Sequence, residues 1–297
     1  MRSFFLVLVL LGSLGCSMKS HTPVSKITAR GILDDVRWLA SDELQGRHYR
    51  SKEAMIAAKY IADKWKEAGL VPLLGKSSMY IPTDDPRAAP NVAAMWRGNG
   101  DGYVLLTAHY DHLKPRMRGE DKIYNGADDN ASGTAALIAI AQAIASQQES
   151  LPASIVFVAF TGEEAGFIGS EHFVQNPPFP LSNIRALINL DMISRGEPNT
   201  IFLEGAPDAP RIALAIHKAN KQIGLTIIRD AHPDWLQRSD QAPFLDHGVP
   251  CVFLSVEDHE DYHRVTDHAD RIIPELAAKT AQLAFLAAVD LAGGGVP

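Results

Sequence analysis

Five separated stretches of the chain place a histidine or a carboxylate where an apolar run ends. They are His109 and Asp111 in "HYDH", Asp128 and Asp129 in "NGADDNASG", Glu163 and Glu164 in "TGEEAGFIGS", Asp191 in "NLDMI", and His263 in "DYHRVTD". Imidazole and carboxylate are the groups that Zn²⁺ and related cations bind, and several carboxylates crowded together need such a charge to coexist. The adjacent glutamates sharpen the point, because two neighbouring carboxylates beside a core repel unless a cation or solvent compensates them. Each piece alone has an ordinary reading. With 11 histidines in the chain, His109 and His263 fit surface or core positions, and "GADDNASG" fits a turn capping a helix through Asn130 or Ser132. Their shared placement at strand ends favours a cation site.

The elements that must position these residues read as an alternation. Strands are expected at "NVAAMW", "GYVLLTAH", "ASIVFVAFT", "IRALINLD", "TIFLEG", "LTIIRD" and "VPCVFLSV". Helices are expected at "ITARGILDDVRWLASDELQG", "SKEAMIAAKYIADKWKEAGL", "NASGTAALIAIAQAIASQQ", "DAPRIALAIHKANKQIG", "SDQAPFLDHG" and from Pro274 to Leu291. Strands nearly continuous in Val, Ile, Leu and Phe imply a sheet covered by helices on both faces, a three-layer α/β/α sandwich around a mixed, mostly parallel sheet. In open α/β sheets, sites gather beyond the carboxyl ends of the strands, where the polar residues above fall. A rival pattern, "HEDYH" at residues 259–263, fits the H-E-x-x-H signature of single-zinc proteases. That signature needs a helix to bring both histidines onto one face, and the acidic flanks "SVED" and "RVTD" lack helical apolar periodicity, so it is read as coincidence.

Taken in order, "HYDH", "NGADDNASG", "TGEEAGFIGS", "NLDMI", "RSDQAPF" and "YHRVTD" resemble the co-catalytic zinc exopeptidases that include secreted bacterial aminopeptidases and glutamate carboxypeptidase. "LASDELQGR" and "AAKYIADKWKEAGL" are similar to that family's leading segment, and the resemblance runs over about residues 32–290. It implies a single zinc-peptidase domain of phosphorylase-like fold over residues 27–292, without the protease-associated insert of some relatives. It implies two Zn²⁺ ions, with Co²⁺ or Mn²⁺ suited to the same ligands. One ion would rest on His109 and Asp191, the other on Glu164 and His263, with Asp129 bridging as the fourth residue of "GADD". Glu163 would be the general base, and Asp111 would accept a hydrogen bond from His109 and fix its tautomer. Tyr262 matches a residue that supports the oxyanion in some relatives, and Arg238 one that contacts a substrate or product carboxylate. Gln241 stands where a histidine is common and is given no role. The implied reaction is hydrolysis of a peptide substrate, foremost release of its N-terminal residue, by a water shared between cations about 3.5–4 Å apart. Carboxypeptidase or dipeptidase action would use the same parts. Glutaminyl cyclases resemble the pattern without the full two-metal ligand set, and a non-catalytic surface-binding relative would be expected to have lost ligands or the base.

The bulk numbers agree with a globular enzyme. The chain has 297 residues, 46% hydrophobic and 21% charged, and a net charge of −7 without a Lys/Arg stripe speaks against a nucleic-acid partner. Residues 1–16 read as a signal peptide: Arg2, an apolar run from Phe4 to Leu11 too short for a membrane span, then small residues before Cys16. Cys16 after Gly15 resembles a bacterial lipoprotein site, whose lipidation would tether the chain to a membrane, while Ser13 and Gly15 also suit ordinary cleavage. The expected location is the bacterial periplasm or cell envelope, or outside the cell. Cys251 is then left without a partner and is read as a small buried hydrophobe in a strand. Nothing in the sequence sets an oligomeric state or a side-chain specificity.

Overall fold

In the computed structural model, residues 22–147 and 149–294 are described, so the signal segment and Cys16 lie outside the described residues. Two amphipathic helices lead the chain, α1 (Ala29–Leu39) and α2 (Lys52–Glu67), each begun by a side chain accepting an N–H of the first turn. Thr28 accepts from Gly31 and Ser51 from Ala54. The helical pattern expected to run on to Gly46 breaks after Leu39. Residues Asp42–Arg47 form a 3₁₀ segment in which Gln45, Gly46 and Arg47 all take positive φ.

Eight strands follow: β1 (Tyr80–Ile81), β2 (Asn91–Trp96), β3 (Tyr103–His109), β4 (Ser154–Phe160), β5 (Ile184–Leu190), β6 (Thr200–Glu204), β7 (Thr226–Arg229) and β8 (Cys251–Ser255). They form one sheet in the order β1-β2-β4-β3-β5-β8-β6-β7. The β4–β3–β5–β8 centre is parallel, as is the β6–β7 pair, whereas β1–β2, β2–β4 and β6–β8 are antiparallel. Between and after the strands lie α3 (Gly133–Ile144), α4 (Ile168–Gln175), α5 (Pro210–Ile223), α6 (Gln241–Asp246) and α7 (Pro274–Ala292).

Period-two alternation divides the central strands between two cores. Val104, Leu106 and Ala108 of β3 and Ile155, Phe157 and Ala159 of β4 pack with α1, α2, α3, α5 and α7. Leu105, Val156, Val158 and Phe160 point the other way, onto Phe173 of α4 and Phe244 of α6. The expected three-layer sandwich is therefore the one formed. Cys251 is buried in β8, and burial pushes its thiol pKa up, as suits a small hydrophobe in a strand. Among the described residues no helix is long and apolar enough to cross a membrane.

Candidate metal centre

Because β3, β4, β5 and β8 run parallel, their carboxyl ends open at one edge of the sheet. His109 is the last residue of β3 and pairs with Phe160, the last of β4, three residues before Glu163. Asp191 follows β5 directly. His109 Nε2 lies 3.2 Å from Asp191 Oδ1 and 3.3 Å from Asp129 Oδ1. On the other side, His263 Nε2 lies 3.2 Å from Asp129 Oδ2 and 3.2 Å from Glu164 Oε2. One carboxylate thus turns each of its oxygens to a different imidazole. Ligands about 2.0–2.2 Å from a tetrahedral cation stand roughly 3.3–3.5 Å from one another, so these separations fit two adjoining cations.

Glu163 Oε2 stands 4.0 Å from His109 Nε2, and its side chain is only 11% exposed. Burial raises its pKa well above the usual carboxylate range; His109 opposes this, and Asp191, Asp240 and Glu164 add to it. Asp129 shows the reverse balance. Burial again favours the neutral acid, but His112, His109 and His263 together hold the carboxyl well below its ordinary range.

The loop that carries Asp129 is fixed from two directions. The Asp267 carboxylate accepts the backbone N–H of Asp128, at 3.0 Å, and of Asp129, at 3.1 Å. Asp128 points away from the centre, accepting the Ser194 N–H and hydroxyl at 2.7 and 2.6 Å and facing His259 Nε2 at 3.2 Å. From beneath, the fully buried Arg47 donates to the carbonyls of Asn125 (2.6 Å) and Gly126 (3.0 Å), and also to those of Leu39 (2.5 Å) and Tyr110 (2.9 Å). At the start of α3, Asn130 Oδ1 accepts the Gly133 N–H and so serves as the cap.

Asp191 is oriented by a residue that the sequence reading left without a role. Ser239 donates its hydroxyl to Asp191 Oδ2 at 2.7 Å, leaving Oδ1 toward His109. Behind it, Asn189 Nδ2 donates to Ser239 Oγ and Gln241 Oε1, and Thr107 donates to Asn189 Oδ1, so Gln241 is a buried structural acceptor. Partners of this kind typically contribute about 10–100-fold to metal affinity. Ser239→Ala is expected to weaken metal binding by that factor, measured by competition with a coloured chelator.

One role expected of Asp111 is corrected. His109 Nδ1 faces the main-chain carbonyl of Asp111 at 3.1 Å, whereas the Asp111 carboxylate is 3.8 Å away. The chain bends after β3 so that the carbonyl takes the ring N–H, and the carboxylate instead accepts the Glu163 backbone N–H at 3.2 Å. Asp111 is fully buried, and burial pushes its pKa up to about 7. Tyr262 stacks on the His263 ring with centroids 4.0 Å apart. Arg238 contacts Asp258 at 3.1 Å. Both line a cleft together with Asp129, Glu163, Asp191 and His263, and its apolar wall is Met192, Trp235, Phe253 and Val256.

"HEDYH" forms no helix. Its residues lie in turns, His263 has positive φ, and His259 points to Asp128 while His263 points to Asp129. Glu260 is 83% exposed. His112, the last residue of "HYDH", is fully buried, with Nδ1 2.5 Å from Glu164 Oε1, and its ring nitrogen lies with the Asp129 and Glu164 oxygens inside 4.8 Å, close enough for the three to hold one cation. Its only signal in the sequence is its position three residues after His109.

Residues 91–288 match the model of peptidase family M28. The chain belongs to this family. The M28 chain is 29% identical over 211 residues to a protein of Pyrenophora teres f. teres named "Probable zinc metalloprotease", an alignment covering 62% of this chain and 44% of that one. It is 40% identical over 110 residues to an aminopeptidase of Pseudomonas aeruginosa, covering 36% of this chain and 18% of that one. The alignments thus span less than half the length of these curated relatives. Among solved structures, the LapA aminopeptidase of Legionella pneumophila superposes with a TM-score of 0.78 at 18% identity, over 91% of this chain and 74% of that one, a likeness of fold.

Proposed function

We propose that this M28 chain is an exported, zinc-dependent aminopeptidase that hydrolyses the N-terminal peptide bond of its substrates. The observation that carries the reading is the split of the Asp129 carboxylate, with Oδ1 toward His109 and Oδ2 toward His263. His109, Asp191 and Asp129 would hold one zinc, and Glu164, His263 and Asp129 the other. Bound there, the ions would acidify a water and polarise the scissile carbonyl. The chain's own residues would do the rest. Glu163 takes the proton of the attacking water and delivers it to the leaving amine. Tyr262, which lines the cleft, would steady the developing oxyanion, and the Trp235 and Phe253 side chains of the same lining would take an apolar side chain. Arg238, which lines the same cleft and pairs with Asp258, would meet a carboxylate of substrate or product.

The export reading rests on residues 1–16, and membrane tethering on lipidation of Cys16. The test of the enzymatic reading is direct. The purified chain should contain two equivalents of zinc by elemental analysis and release dye from an aminoacyl-nitroanilide. Chelation should abolish that release, and added Zn²⁺, Co²⁺ or Mn²⁺ should restore it. Cyclisation of an N-terminal glutamine without dye release would support the cyclase alternative. Absence of both metal and turnover would mark a binding relative.

A further inference from the structure

A second cleft reaches the proposed centre from the Glu164 side. His112 and Glu164 line it together with His48, Tyr49, Lys114 and Tyr124, and it shares no lining residue with the cleft of Trp235 and Tyr262. Glu164 links the two, because its Oε2 lies 3.2 Å from Nε2 of His263, which lines the first cleft. A substrate lying across the centre thus has a recess on either hand.

The second cleft forms where the 3₁₀ segment Asp42–Arg47 meets both ends of the loop from Leu113 to Tyr124. Gly46 approaches those ends so closely that an added Cβ would lie 2.5 Å from the Leu113 carbonyl oxygen and 2.7 Å from that of Tyr124, and its φ is +77. Glycine is needed there on both counts. Arg47 ties down residues just outside the loop, through the carbonyls of Tyr110 and Asn125. The walls are therefore fixed by the fold and need little ordering when a ligand enters.

The charge of this cleft is opposite to that of the metal ligands. Its loop carries Lys114, Arg116, Arg118 and Lys122 against Glu120 and Asp121, in a chain of net charge −7. Arg50, on the neighbouring turn, is taken up by Asp85 at 2.6 Å. Lys114 is exposed at the cleft and enters no ion pair among the described residues. Burial draws the His48 pKa down, and Lys114 and Arg50 add to the shift, so at pH 7 that ring is mostly neutral. The Lys114 ammonium is then the fixed positive charge of the lining.

We propose that the second cleft receives the residue following the scissile bond, and that Lys114 makes it selective for a carboxylate, either an acidic side chain or the C-terminal group of a dipeptide. The inference rests on the aminopeptidase reading above, in which the N-terminal side chain occupies the first cleft. It gives each recess its own cation, Arg238 in the first and Lys114 in the second.

Leucine release from Leu-Glu-Gly-amide against Leu-Gln-Gly-amide tests the side-chain source, and from Leu-Gly against Leu-Gly-amide the terminal source. In at least one pair the charged member should have the higher kcat/KM, by about two- to five-fold, the effect of an exposed ion pair. The pair that shows it names the source, and added salt should shrink the margin. Lys114→Gln should erase the preference and Lys114→Glu should reverse it. Because Lys114 is exposed, neither change removes core packing. Calorimetric binding of the same peptides to the zinc-loaded Glu163→Gln chain should give the same order without turnover. Equal values within both pairs, or a preference for the charged member that survives in Lys114→Glu, would overturn the proposal. A wild-type chain that releases neither leucine from any of the four peptides nor dye from leucyl-nitroanilide would instead overturn the aminopeptidase reading.

Discussion

Glu163→Gln is expected to lower kcat by about 10²–10⁴-fold, the usual contribution of a positioned general base, with the zinc content unchanged. Glutamine keeps the shape of the side chain and cannot accept the proton. Glu163 is also the acid set farthest back: Asp129, Asp191 and Glu164 stand 3.2–3.3 Å from an imidazole nitrogen, and Glu163 stands 4.0 Å away, although its oxygen still lies within 4.8 Å of the ligand atoms of His109 and Asp191. The decisive control is Glu260→Gln, the glutamate of "HEDYH", which should retain nearly full activity because Glu260 is exposed, with its carboxylate 3.8 Å from Arg271. Steady-state kinetics on a nitroanilide substrate with parallel metal analysis checks both. A loss of zinc in Glu163→Gln would place that residue among the ligands, and a loss of activity in Glu260→Gln would restore the single-zinc reading.

Arg47→Met should cost several kcal/mol of unfolding free energy, since each buried carbonyl left without a donor costs about 1–3 kcal/mol. Folded domains are stable by only about 5–15 kcal/mol. Four buried carbonyls, from Leu39, Tyr110, Asn125 and Gly126, would each lose their guanidinium donor. Burial draws the Arg47 pKa down to about 10, against the pull of Asp111, Asp129, Asp267 and Glu164, so the cation also offsets the negative charge gathered above it. Arg47→Lys should recover only part of the loss, because a single ammonium cannot reproduce the planar fork. Urea unfolding of the wild type and both variants measures the difference. A methionine variant as stable as the wild type would show that water replaces the lost donors.

The strands were legible because strands buried on both faces of the sheet read as unbroken apolar runs, and β2 matched its expected residues from Asn91 to Trp96. The leading helices were legible from apolar periodicity, but not their breaks. Nothing in "DELQGR" signals that Gln45 and Arg47, as well as Gly46, adopt left-handed backbone. Helix α4 went unread because its eight residues include Gly169 and lie next to the turn that holds the glutamates. Strand β1, two residues long, left no pattern at all. At the site, residues at strand ends stood out because an apolar run stops abruptly at a charge. Ser239 and Asp267 did not, because each meets a partner distant in sequence. Asp267 binds the amides of Asp128 and Asp129 across 139 and 138 positions, and no local periodicity records such a bond. The Asp111 correction has the same origin, since the order of residues does not say whether a carbonyl or a carboxylate meets the ring.

The placement of Arg47 also bears on how far the chain can be shortened. The family model begins at Asn91, 44 positions beyond the arginine whose fork holds the carbonyls of Asn125 and Gly126, just before Asp129. A fragment trimmed to the matched residues would keep every proposed ligand yet forfeit that anchor, together with α2, whose Trp65 rests on Phe157 of the sheet. The autonomous folding unit is therefore wider than the segment that carries the recognisable motifs, and minimisation from the amino-terminal side should stop short of Thr28, the cap of α1.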